Sequence, residues 1–282
     1  MKPVLVIHGG AGNRARPDRL RAIRKSLRAI CDQARGYLQS HSALEAVTLA
    51  VRLLEDDPLF NAGTGSMLQR DGVARMSASI MDGQRRRFAA VLNIEEVKNP
   101  IAVAKALLER SDRILAGSGA TQFARSLRMP RWDPVTPARH RQWQAKHQHA
   151  THRYDTVGAV AVDTEGHLAA ATSTGGKGFE RPGRVSDSGT PIGNYADGTA
   201  AISCTGLGED ILEEGLAVRL AQRVQDGVSL AGAFAVTFRE LVRRQRHAAA
   251  IGVNARGRIA WGTTTDVLFA VACTPAGLRE SF

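Results

Sequence analysis

Residues 152–160 read HRYDTVGAV. A basic, histidine-rich stretch ends there and an apolar strand begins, with Thr156 on the border. A threonine at a strand start is ordinary, because β-branched side chains suit a pleated surface. A small hydroxyl nucleophile directly behind a loop-like segment is the feature to be explained.

Reading forward, TVGAVAVD (156–163), a turn at TEG (164–166) and HLAAATSTGG (167–176) predict a hairpin of alternating or fully buried strands. TAAISCTG (199–206) is a further strand. GEDILEEGLAVRLAQRVQDG (208–227) reads as one long helix with Gly227 as its stop, and another helix covers roughly 229–246. AAIGVNARGRIAWGT (249–263) is a late hairpin around Asn254–Gly257, and LFAVAC (268–273) is a last strand.

Reading backward, residues 124–154 carry seven Lys or Arg, one acidic residue, three prolines and two tryptophans, with no sustained apolar period. The segment reads as a mobile basic linker holding one short helix. Before it, Val4–Ile7 is a buried strand followed by the glycine turn HGGAGN (8–13). Leu20, Ile23, Leu27, Ile30 and Ala34 recur at steps of three and four, predicting an amphipathic helix from Pro17 to Leu38. SALE (42–45) is a capping box opening a second helix with Leu44, Val47, Val51 and Leu54 inward. DDPLFNAGTGS (56–66) breaks that helix. GVARMSASIMDG (72–83) and RRFAAVLNI (86–94) are paired strands around Asp82–Gly83, and NPIAVAKALLER (99–110) is a helix with Asn99 as N-cap and Pro100 at N1. Strands and helices therefore come in blocks. The layered solution that buries them is an α/β (α+β) four-layer αββα sandwich, two mainly antiparallel sheets between helix layers, folded as one structural domain.

The bulk properties narrow the function. With 282 residues and 43% apolar content, the chain can bury a substantial core. No apolar run approaches the ~20 residues of a membrane span. The start, MKPVLVIHGG, reads as a first strand and not a signal peptide. Cys31, Cys204 and Cys273 stand far apart, which predicts a reducing, cytoplasmic setting without a disulfide framework. His140, His147, His149 and His152 lack a carboxylate or cysteine at ligand spacing, so a solvated segment is favoured there over a metal site. The net charge of +11 invites an acidic partner such as nucleic acid. That charge is spread along many helices, and no nucleic-acid-binding motif accompanies it, so nucleic acid is disfavoured.

Three Ser/Thr/Gly clusters stand at strand ends: DTVGAV (155–160), ATSTGG (171–176) and SCTGLGE (203–209). Between the second and third lies RPGRVSDS (181–188), where Arg184 and Asp187 form a pair of opposite sign. Such a pair can clamp a zwitterion, the guanidinium on a carboxylate and the carboxylate on an ammonium; it can equally be a surface ion pair.

Taken in order, IHGGAG (7–12), LLEDDPLFNAGTGS (53–66), SIMDG (79–83), NPIAVA (99–104), GSGA (117–120), DTVGAVAVD (155–163), AAATSTGG (169–176), PGRVSDS (182–188), NYAD (194–197) and SCTGLGED (203–210) resemble the plant-type asparaginases and isoaspartyl peptidases. These are N-terminal-nucleophile hydrolases, and the likeness runs nearly end to end. It implies an autoprocessed hydrolase of β-aspartyl dipeptides and L-asparagine, cut between Asp155 and Thr156. Residues 1–155 would form an α subunit ending in the linker 124–155, and residues 156–282 a β subunit. It implies Thr156 as nucleophile, Thr174 as its orienting partner, Thr205 and Gly206 as oxyanion donors, and Asn61 as a support from the glycine loop. Arg184 and Asp187 would hold the substrate's carboxylate and ammonium, with Gly208 lining the pocket. The segment Leu54, Glu55, Asp57, Phe60, Ala62, Thr64 resembles a sodium-binding loop of main-chain carbonyls, a donor type that suits a hard cation. No cofactor is implied for catalysis, and the assembly implied is a homodimer of αβ units without a membrane partner.

The departures from the family pattern are PIGNYAD (191–197), Leu207, RHAAAIG (246–252) and GTTTDVLF (262–269), which would surround the leaving-group side of the pocket. Glycosylasparaginase is a neighbouring reading, but TSTGG stands where those enzymes tend to carry TSTNG. A non-enzymatic nucleic-acid-binding relative would be favoured by loss of Thr156 or Arg184, and both are present.

Overall fold

The computed structural model of the protein describes residues 2–145, 153–154 and 156–282. In chain order its elements are β1 (Val4–Gly12), α1 (Pro17–Leu38), α2 (Ala43–Asp56), β2 (Met76–Asp82), β3 (Arg87–Ile94), α3 (Pro100–Leu107), β4 (Ile114–Ala116), α4 (Gly117–Ser126), α5 (Pro137–Gln144), β5 (Arg153–Tyr154), β6 (Val157–Val162), β7 (Leu168–Thr174), β8 (Asn194–Ala196), β9 (Ala200–Gly206), α6 (Gly208–Glu214), α7 (Leu216–Gln225), α8 (Leu230–Arg243), β10 (Ala248–Asn254), β11 (Ile259–Thr263), β12 (Val267–Thr274) and β13 (Gly277–Glu280). A short 3₁₀ turn spans Asp187–Gly189.

The first sheet runs β13-β12-β1-β6-β7-β2-β3-β4, with β5 pairing the end of β1, and the second runs β11-β10-β9-β8. Every pair is antiparallel except β3 with β4. The β1 and β6 strands are buried on both faces, which is why they read as continuous apolar runs. Alternate residues divide between two cores. Leu5 and Ile7 join Ala159, Ala161 and the apolar stripes of α1, α2 and α3. Val4 and Val6 join Val160, Val162, Ala201 and Ile251 between the sheets. A third core lies under α7 and α8, around Ile202, Leu220, Phe234 and Leu241. The αββα sandwich expected from the sequence is therefore the observed architecture.

Four details differ from the sequence reading. The helix expected over 208–227 is broken at Gly215, which sits in the left-handed region at φ 59° and separates α6 from α7. The strand β13 follows the one expected to be last. Asn99 stands at the N-cap of α3 with Pro100 behind it, as expected, but its side chain makes no capping hydrogen bond; its amide donates instead to Asp56 Oδ1 at 3.0 Å. The basic stretch expected as a mobile linker is, up to residue 145, seated on the glycine loop. Trp132 Nε1 donates to Thr64 Oγ1 (3.1 Å), Gly65 N to Pro134 O (2.8 Å), Arg139 Nε to Gly65 O (2.6 Å) and Trp143 Nε1 to Gln69 O (3.1 Å). The remainder of that stretch at 146–152, with His147, His149 and His152, and Asp155 of the expected scissile bond, lies outside the described residues.

The capping box at Ser42 and Glu45 forms as expected and starts α2. At the other end of α2, buried Glu55 ties three elements together. Its Oε1 accepts from Ser173 Oγ on β7 (2.6 Å) and from Ile101 N at the start of α3 (3.0 Å). Burial pushes its carboxyl from 4.5 up to about 8, against the opposing pull of these donors. Between those two values the folded chain holds a proton that the unfolded chain has released, so stability falls as pH rises across the window. Glu55→Gln removes this titration. Melting temperatures measured from pH 5 to 8.5 should move in the variant's favour as pH rises, and a parent–variant difference that does not change with pH would disprove the linkage.

Candidate active site

The β6–β7 register decides what meets at the mouth of the sandwich. Val157 lies opposite Ser173, so Thr156, one step further out, comes opposite Thr174. Thr156 Oγ1 donates to Thr174 Oγ1 at 3.2 Å, and Thr174 Oγ1 also accepts from Gly176 N at 3.1 Å. Both threonines are buried, at 8% and 4% exposure. Thr205 reaches the same rim from β9 of the second sheet, fully buried, and Gly206 follows at φ +139° with its Cα against the His247–Ala248 backbone.

A layer of polar side chains lies two residues deeper on each strand. His8 Nε2 and Ser203 Oγ are 2.8 Å apart, and Ser203 Oγ is 2.8 Å from Thr172 Oγ1. All three residues are fully buried. Burial drives the His8 ring from 6.5 down to about 3, against an opposing pull from the Thr156 backbone, so the imidazole is neutral at ordinary pH. Gly158 completes this layer; a Cβ there would lie 2.1 Å from Ser203 Oγ and 2.5 Å from His8 Nε2. Sequence reasoning missed these residues. A signal was available: Thr172 and Ser203 precede Thr174 and Thr205 by two, so they share a strand face.

One cleft is lined by Thr156, Thr174, Gly176, Lys177, Arg184, Ser186, Asp187, Gly206, Leu207 and Gly208. Eight of the residues singled out in the sequence are thus at or beside one opening: Thr156, Thr174, Arg184, Asp187, Gly206, Leu207 and Gly208 line it, and Thr205 adjoins Gly206. Gly208 stands between the charged pair; a Cβ on it would lie 2.8 Å from Asp187 Oδ1 and 3.0 Å from Arg184 Nη2. Only glycine leaves that space to a ligand. The stretch 262–269, expected beside the leaving group, does not line this cleft; Gly262 and Thr263 line a separate groove against α8.

Asn61 does not line the cleft either. It staples the loop that does: its Nδ2 donates to Gly176 O (2.6 Å), its Oδ1 accepts from Met67 N (2.8 Å), and its backbone carbonyl accepts from Gly175 N (2.8 Å). Its neighbours in the expected sodium loop hold one another through the backbone, with Thr64 N donating to Glu55 O (2.7 Å) and Phe60 N to Asp57 O (3.2 Å).

The electrostatics decide one of the alternatives that the sequence left open for this pair. Arg184 does not pair with Asp187. It makes a two-pronged contact with Glu209, Nε to Oε1 and Nη2 to Oε2, both 2.8 Å. Lys177 Nζ joins the same carboxylate at 3.0 Å. Glu209 is accordingly held down to about 2, chiefly by the Arg184 hydrogen bonds. Asp187 is buried in the 3₁₀ turn, and its Oδ2 finds no hydrogen-bond partner among the described residues. Burial pushes its carboxyl from 3.8 up to about 7, with the Arg184 charge acting in the opposite direction. The cleft therefore holds the Asp187 carboxyl, its Oδ1 against Gly208, beside a guanidinium fixed by a third group.

Comparison with known proteins covers nearly the whole chain. A family model described as asparaginase matches residues 1–281. The chain is 44% identical to an isoaspartyl peptidase/L-asparaginase of Nostoc sp., covering 96% of this chain and 91% of that one. It is 43% identical to the protein of the same name from Synechocystis sp., over 100% and 91% of the two chains. Over 82% of each chain it is 42% identical to an isoaspartyl peptidase of Salmonella typhimurium. Matched over nearly its whole length by the family model, and by relatives well above the identity at which folds diverge, this chain belongs to the asparaginase family.

Proposed function

We propose that the protein is an autoprocessed threonine hydrolase that cleaves β-aspartyl dipeptides and L-asparagine at the side-chain carbonyl. The observation that carries this reading is the Thr156–Thr174 hydroxyl contact in the same cleft as Arg184 and Asp187. A nucleophile and a zwitterion clamp in one opening select an amino acid whose reactive carbonyl is on its side chain. The names of the relatives support the same substrates.

Processing comes first. Thr156 Oγ attacks the carbonyl carbon of Asp155, the Asp155–Thr156 C–N bond breaks, and the acyl group is carried as an ester. Water then hydrolyses the ester, releasing the Asp155 carboxylate and the Thr156 amine. That amine titrates near ~8, so an unprotonated fraction is available as base beside its own hydroxyl. In turnover it takes the Thr156 Oγ proton as oxygen attacks the substrate carbonyl, then delivers it to the departing ammonia or amino acid. Thr205 and the Gly206 N–H are the proposed donors to the oxyanion, and Thr174 orients the attacking hydroxyl. Water releases aspartate from the acyl-enzyme. The net reaction consumes one water and needs no redox partner.

Intact mass measurement on denatured protein should resolve two chains, 1–155 and 156–282, while Thr156→Ala stays whole and inactive. Cleavage of Thr156→Ala at this bond without added protease would sink the mechanism.

Two deprotonations control the free enzyme in this scheme, Asp187 at about 7 and the Thr156 amine. Below pH 7, log(kcat/KM) for asparagine should rise with a slope approaching two per pH unit, flattening as both groups ionise. In Asp187→Asn the slope should fall to one, at much reduced efficiency. A single ionisation in the parent profile would remove Asp187 from substrate recognition.

We also propose a sodium ion as a structural element of the glycine loop. The carbonyls of Pro58 and Phe60 converge on the Gly65 Cα, each 2.8 Å from where a Cβ would stand, and the Glu55 carbonyl is 2.5 Å from where a Cβ on Gly63 would stand. The helical donor that would normally satisfy Leu54 O falls at Pro58, which has no N–H. Leu54, Glu55, Asp57, Phe60, Ala62 and Thr64 would supply main-chain oxygens, and the two carbonyls already hydrogen-bonded keep a second lone pair. A saturable rise in melting temperature with sodium chloride, absent in choline chloride of equal ionic strength, is the expected result; identical curves in the two salts would exclude the ion.

A further inference from the structure

We infer that Lys177 is a specificity residue of this cleft, recognising the carboxylate of the leaving amino acid and so favouring β-aspartyl dipeptides with a free C-terminus. The inference rests on the hydrolase reading above and concerns the part of the substrate beyond the scissile bond.

The charges of the cleft are graded by depth. Arg184 is deep, with 14% of its side chain exposed, and Asp187 is fully enclosed beside it. Together they match one carboxylate and one ammonium, the two charges of an aspartyl head group. Lys177 lines the same cleft but stands nearer solvent, its side chain 40% exposed. The head group fills the closed end, so whatever follows the scissile bond must leave by the open side. Asparagine offers nothing more there than an amide nitrogen. A β-aspartyl dipeptide carries a second carboxylate, on the residue that departs.

Glu209 makes the ammonium available at that position. Both its oxygens are engaged by Arg184, and Lys177 reaches only Oε1. An ammonium has three donors, so Nζ can keep this contact and still address a ligand. The backbone of Lys177 is held as well, its N–H donating to buried Glu180 Oε1 at 3.3 Å. The rim lysine is therefore aimed by two carboxylates, and among the described residues Leu207 is the one large apolar side chain lining the same opening.

The test compares parent, Lys177→Gln and Lys177→Arg on β-Asp-Leu, β-Asp-Leu amide and L-asparagine, using fully processed protein. The amide has the same shape as the dipeptide but lacks the second carboxylate. Lys177→Gln should raise KM for β-Asp-Leu about five- to tenfold with little change in kcat, the pattern of a lost binding contact. Its preference for the acid over the amide should fall to about one, and Lys177→Arg should restore most of it. In the parent the same preference should shrink with added salt, because the pair is half exposed. Asparagine gauges any disturbance passed to Arg184 through Glu209. Equal losses on all three substrates would place Lys177 at the head group and overturn the inference, as would an unchanged acid-to-amide ratio. If the parent hydrolyses neither asparagine nor β-Asp-Leu, the underlying hydrolase reading fails and takes this inference with it.

Discussion

The two sheets can close at their active end because Gly158 has no side chain. His8 from β1, Thr172 from β7 and Ser203 from β9 meet over its Cα, where a methyl group would stand 2.1 Å from Ser203 Oγ. A fully buried polar cluster is costly unless its members satisfy one another, and here each hydroxyl has a partner within 2.8 Å. Two residues further out on the same strands stand Thr156, Thr174 and Thr205. The rim threonines therefore inherit their spacing from the layer beneath, and that layer depends on one glycine.

Burial then sets the chemistry of each charge. Arg184 and Glu209 neutralise each other through two short contacts, which fixes the guanidinium before any ligand arrives. Asp187 has no such partner, so enclosure raises its carboxyl toward neutrality. A ligand ammonium would supply the missing counter-charge and recover the cost of enclosing the carboxylate. Glu55 follows the same physics on the far side of β7, where a carboxyl held up to about 8 bonds Ser173, the neighbour of Thr174. The strand carrying the rim hydroxyl is anchored from both faces.

Much of the fold was legible because its signals are local. The 3.6-residue stripe of α1, the capping box of α2, and the apolar runs of β1 and β6 each carry their own signature, and all form. The misses share a cause. The α6–α7 break at Gly215 lies inside a pattern that stays helical on both sides, so its one local mark is the glycine itself, which a helix can also carry in its interior. The one short helix expected in the basic stretch is there as α5, but it buries none of its residues, so no apolar period announces that it is seated. What seats it is a set of contacts from Trp132, Arg139 and Trp143 to loop residues some seventy positions away.

The sequence alone determined the element types, the sandwich that buries them, and the residue types of the site, because ordered motifs at strand ends carry that information in one dimension. Whether Arg184 pairs with Asp187 or with Glu209 depends on how the loop before the 3₁₀ turn lies against the first turn of α6. That is a matter of ångströms between segments 25 residues apart. The tertiary structure alone brought His8 under Thr156, set Asn61 behind the cleft and not in it, and placed Lys177 at the rim. Each of those assignments depends on which strand faces which across two sheets, and distance in space is the one quantity that spacing along a chain does not encode.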